Sequence, residues 1–118
     1  MPIIDFHNHY YPPVYLDALR SGSSAVEVTI DEDGNPRIYY PGDYNVCVPG
    51  HRDIDYRERV LIEQGVATQV VTLTTPGVHV EKPEVAARFA AISCISCPSF
   101  DLLIATCMIK LMILPVIQ

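Results

Sequence analysis

Two β-branched runs bracket a helical stretch in this chain, and that order limits the architectures open to it. "PIIDFH" (residues 2–7) and "TQVVTLTTPG" (68–77) are short, apolar and followed by prolines, the pattern of buried strands. Between them, "DIDYRERVLIEQGV" (53–66) reads as a helix. Asp55 and Glu58 have capping-box spacing, Val60 and Leu61 offer an apolar face, and Arg57, Glu58 and Glu63 are expected in water. Gly65 has the place of a C-terminal cap. A second helix, "KPEVAARFA" (82–90), follows with Pro83 in its first turn, where a missing N–H does no harm. Strand, helix, strand, helix in this order predicts a parallel sheet with a right-handed crossover.

The first strand does not lead directly to the long helix. "VYLDALRSG" (14–22) reads as a short helix stopped at Gly22. "AVEVTI" and "RIYY" then flank "DEDGNP", where Asp33-Gly34 signals a turn, so residues 25–41 read as an inserted β-hairpin. Insertions of this kind belong to the loops at the working face of a (β/α) barrel.

Charge narrows the functional classes. A net charge of −6 with no basic run excludes a nucleic-acid backbone as partner. "MPIIDFHNH" puts an acid and two histidines where a leader would need apolar residues, so a cytoplasmic location is expected. Cys47 stands alone, while Cys94, Cys97 and Cys107 crowd toward the C-terminus; Cys94-x-x-Cys97 has the spacing of half a zinc site or a redox pair, but with no second pair beside it all four read as ordinary thiols. Residues 1–90 contain 20 of the 22 charged side chains, which marks a boundary near residue 91. The segment 91–118 is apolar but broken by Lys110 and Pro115, short of a bilayer span.

The chemistry gathers at "DFHNHYYPP" (5–13). On a continuous strand Asp5, His7 and His9 would share one face. Two imidazoles at i and i+2 can converge on one divalent ion. The same spacing also suits polar residues where a strand meets solvent. His79 follows the second strand, as a substrate contact or a solvated loop residue. Arg52 precedes the long helix, as a carboxylate-binding cation or a local partner. Asp53 and Asp55 read as helix-start residues.

"IIDFHNHYYP", "DIDYRERVLIEQGVATQVVTLTTPG" and "KPEVAARFA" together resemble the start of the metal-dependent amidohydrolase superfamily, over about residues 1–90. The likeness is to the branch of 2-amino-3-carboxymuconate semialdehyde decarboxylase and related aromatic-acid decarboxylases. It implies the N-terminal part of a (β/α)8 TIM-type barrel, incomplete here. It also implies a divalent metal, zinc by preference, with His7 and His9 as ligands. In that family a histidine from the fifth strand and an aspartate from the eighth complete the site; both strands fall outside this chain. The family's substrate-binding arginine has no counterpart in Tyr44-Asn45-Val46-Cys47, which leaves Arg52, with His79, as the candidate substrate contacts.

The resemblance implies action on a small carboxylated molecule, by non-oxidative decarboxylation or by metal-hydroxide hydrolysis, with little turnover from these 118 residues alone. Homo-oligomerisation stays open. The segment from about residue 91 does not match the family and reads as the product of a shifted frame, a retained intron or a mis-joined gene model. The alternative reading is a non-catalytic product that docks on a full-length barrel, or that meets a membrane through its tail.

Overall fold

The computed structural model describes residues 1–95 and the backbone of residues 112–115. The fold is mixed α/β, with two three-stranded sheets and four helices among the described residues. Strand β1 (Ile3–Asp5) pairs in parallel with β5 (Val66–Val71), and α3 (Ile54–Glu63) leads directly into β5. Parallel pairing is what the β–α–β order demands, because a direct turn can join only antiparallel strands. The far edge of β5 carries β6 (Met112–Pro115) in antiparallel register.

The second sheet is an antiparallel meander of β2 (Glu27–Ile30), β3 (Pro36–Tyr40) and β4 (Asp43–Val46). The loop 31–35 is tied by Asp31, whose Oδ1 accepts the backbone N–H of Asp33 at 3.0 Å and of Asn35 at 2.7 Å. Gly34, at φ +80°, makes the reversal. β4 was not anticipated. Its four residues, Asp-Tyr-Asn-Val, carry little apolar signal, but Pro41-Gly42 marks the turn that creates it.

The core lies under α1 (Pro13–Arg20), not between β1 and β5. Tyr15, Leu16 and Leu19 of α1 pack with Tyr11, Val26, Ile38, Cys47 and Phe89. Phe89 comes from α4 (Pro83–Ile95), which begins at Pro83 as expected and continues past residue 91. Burying aromatic and branched side chains here contributes roughly 1.5–3 kcal/mol each. On α3 the helix start differs from expectation: Asp53, not Asp55, is the N-cap, accepting the Tyr56 N–H at 3.0 Å. The helix begins at Ile54, so Asp55 falls inside its first turn, where a carboxylate still complements the dipole. Gly65 ends α3 at φ +68° and donates to the Ile62 carbonyl at 3.1 Å.

Among the described residues no helix is long and apolar enough to cross a membrane. Cys47 is a buried free thiol; Cys94, Cys97 and Cys107, and the tail reading as a whole, lie outside the described side chains.

Candidate metal centre

β1 is shorter than the sequence suggests, and the reason lies in its side chains. The ladder runs Ile3 to Val66, Ile4 to Thr68 and Asp5 to Gln69, then resumes at an isolated bridge between Tyr10 and Leu73. Five steps from Asp5 to Tyr10 face four from Gln69 to Leu73, so one extra residue bows the segment 6–9 out of the sheet. Asp5 starts the bow: its Oδ1 accepts the His7 N–H at 3.0 Å. Asn8 then replaces the ladder with its side chain, donating from Nδ2 to the Val70 carbonyl. Thr72 Oγ1 donates to the Asn8 carbonyl at 2.7 Å, and the Tyr10 N–H reaches the Thr72 carbonyl at 3.0 Å.

His7 and His9 therefore sit on a pinned bow just past the C-terminal end of β1, both exposed. Their ring centroids are 5.4 Å apart and nearly perpendicular, at 84°. Two imidazoles sharing one tetrahedral ion, with metal–nitrogen bonds of about 2.0–2.1 Å, keep their ring centres roughly 5 Å apart. The pair fits a shared metal by that measure. His7 and His9 would hold the ion through one ring nitrogen each.

A third imidazole, His51 on the short helix α2 (Pro49–Arg52), stands edge-on to His9 at 6.3 Å. That is wider than two ligands of one tetrahedral ion require. Among the described residues no group of three or more His, Cys, Asp or Glu side chains could hold a metal ion. His51 is a neighbour of the pair in this arrangement. Its Nδ1 lies 3.2 Å from the Val46 carbonyl, an acceptor, so Nδ1 carries the proton and Nε2 keeps its lone pair. Burial lowers the pKa of His51, the Val46 hydrogen bond opposes this, and the nearby Arg57 and His9 add to the lowering. The ring is thereby biased toward the neutral form.

His9 and His51 share a small cavity of about 120 Å³ with Tyr11, Asn45, Thr74 and Thr75. Its wall is one hydrogen-bonded unit. Tyr11 donates to the Thr75 carbonyl at 2.7 Å, while Asn45 Nδ2 donates to Tyr11 Oη at 2.9 Å and to the Thr75 carbonyl at 2.8 Å. Burial raises the Tyr11 pKa far above its ordinary value, against the Asn45 hydrogen bond, so Tyr11 stays a neutral phenol.

Arg52 and His79 are not among the residues lining that cavity. Arg52 donates to Asn35 Oδ1 at 3.1 Å and to the Cys47 carbonyl, which ties α2 to the β2–β3 loop. It opens instead onto a broad groove of about 590 Å³ with Tyr10, Leu16, Arg20 and Asp55. His79 is exposed, on the loop after β5, with its ring against Gly77.

Arg57 is the main surprise. Expected in water, it is 7% exposed. Ile54, Arg57 and Leu61 fall on one helical stripe, so the spacing held the signal, but the charge argued against it. Asn45 and His51 also escaped sequence reasoning as cavity residues, since neither belongs to a motif.

Compared with known protein families and with curated proteins, the chain matches no family model and no curated protein.

Proposed function

We propose that the chain is the N-terminal part of a metal-dependent amidohydrolase-like enzyme, with β1, α3 and β5 as the opening units of a (β/α)8 barrel. The observation that carries this reading is the His7–His9 pair, 5.4 Å apart on a pinned bow at the C-terminal end of a parallel strand. That end is where barrel enzymes keep their chemistry. A divalent metal held by His7 and His9, zinc by preference, would supply Lewis-acid chemistry toward a small carboxylated substrate or toward water. The chain's own residues shape the cavity: Tyr11 and Asn45 form a neutral, mutually hydrogen-bonded wall with Thr75 beside His9, and His51 presents an uncharged imidazole to the same cavity. Decarboxylation and hydrolysis share these needs. Two imidazoles alone hold metal weakly, so slow turnover is proposed for the described part on its own. A reduced, buried Cys47 suits a cytoplasmic setting.

The test is zinc competition against a chromophoric chelator, using the full chain and its His7→Ala, His9→Ala double variant. One zinc bound by the wild type and none by the variant supports the reading. Equal uptake by both ends it, above all if replacing Cys94 and Cys97 then removes the metal.

A further inference from the structure

A single guanidinium holds one end of the histidine bow directly and reaches the other through Gln69 and Asp5. Arg57 donates from Nη1 and Nη2 to the main-chain oxygen of His9, at 3.1 Å each, and from Nη2 to Asn8 Oδ1 at 3.1 Å. Nη1 also reaches the Gly50 carbonyl, which brings in α2. The remaining arm, Nε, donates to Gln69 Oε1 at 2.7 Å. Gln69 passes the contact on, donating from Nε2 to Asp5 Oδ2 at 2.5 Å, and the other oxygen of Asp5 accepts the His7 N–H. The chain of contacts thus begins at the His7 amide and returns to the His9 carbonyl.

We infer that Arg57 is a positioning residue that sets the spacing of His7 and His9 for a shared metal ion. The inference rests on the metal reading above. Packing alone does not explain the choice of side chain. An apolar residue would fill a helix stripe between Ile54 and Leu61 at no desolvation cost, whereas Arg57 is buried with no carboxylate in direct contact among the described residues. What the guanidinium offers is a rigid planar fork with several N–H groups in fixed directions. Gln69, Asn8 and the His9 and Gly50 carbonyls occupy those directions. Lysine would keep the charge but could not bridge them.

The experiment compares cobalt(II) uptake by the full chain as wild type, Arg57→Lys, Gln69→Leu and the His7→Ala, His9→Ala double variant. Visible absorption reports coordination, and far-ultraviolet dichroism reports the fold. Arg57→Lys is expected to fold yet bind cobalt roughly 10- to 100-fold more weakly with an altered spectrum, as loss of groups that orient ligands does. Gln69→Leu, which cuts only the arm to Asp5 and His7, is expected to lose less. It carries the test alone if Arg57→Lys fails to fold. If the folded variants take up cobalt with wild-type affinity and spectrum, Arg57 is structural and the inference is overturned. If the wild type takes up no cobalt, the metal reading fails first and this inference falls with it.

Discussion

Arg57 closes a two-pronged contact on the main-chain oxygen of His9, 3.1 Å from each terminal nitrogen, across 48 residues of sequence. The contact couples the first half of α3 to the segment that bears the candidate ligands. It also means that the most exposed chemistry in the molecule depends on one of its most buried charges.

Removing that charge should cost stability as well as geometry. Arg57→Met leaves the Gly50 and His9 carbonyls and the Asn8 side chain short of a donor. A loss of about 3 kcal/mol is expected, read as a lower urea midpoint at unchanged slope. A variant within about 0.5 kcal/mol of wild type would show that water replaces the guanidinium freely.

The buried phenols predict the alkaline limit of the fold. Burial raises both Tyr11 and Tyr15 above their ordinary value near 10. Below that value both states keep the proton, and this contribution is fully present. As pH rises past 10 the unfolded chain loses protons that the folded chain retains, so stability falls. Tyrosinate absorbance should therefore show the contributions of Tyr11 and Tyr15 appearing only with loss of dichroism. Seven groups titrating together in a folded chain would contradict the burial.

Cys47 offers a slower clock on the same core. Burial pushes its thiol up to about 11, against the opposing charges of Arg52 and Arg20. At pH 8 its alkylation should be roughly a hundredfold slower in the folded chain than in urea, since the thiolate is the reactive form. Peptide mapping separates it from Cys94, Cys97 and Cys107. Equal rates in the two states would place Cys47 at the surface.

Two backbone positions test the ends of α3. Asp53→Ala removes the carboxylate that accepts the Tyr56 N–H and should cost about 1 kcal/mol. Gly65→Ala forces a Cβ into φ +68° and should cost about 1–2 kcal/mol, although among the described residues nothing lies within 4 Å of the new atom. Gly65→Asn should cost less, because asparagine tolerates that region. Thermal melts of the three variants give the order directly.

The parallel pair β1–β5, the antiparallel β2–β3 and the Pro83 helix start were legible because local signals and tertiary packing agree there. Arg57 was misread because helical spacing and side-chain charge point in opposite directions at that position, and spacing wins. β1 was read as too long: alternation assumes a regular pleat, and the Asp5 and Asn8 side chains break it by taking over backbone hydrogen bonds. The cavity residues Asn45 and His51 were invisible for another reason. They meet His9 only through β4 and α2, and no pattern in the residues themselves announces that meeting.

The antiparallel β6 has a consequence for how much larger an assembly β5 can join. A strand has two edges, and each row of N–H and C=O groups accepts one neighbour. β1 takes one row of β5 and β6 takes the other. A third parallel strand in a growing barrel would need the row that β6 occupies. The two pairings are thus rivals for a single berth, and the architecture that β5 belongs to turns on which strand docks there first.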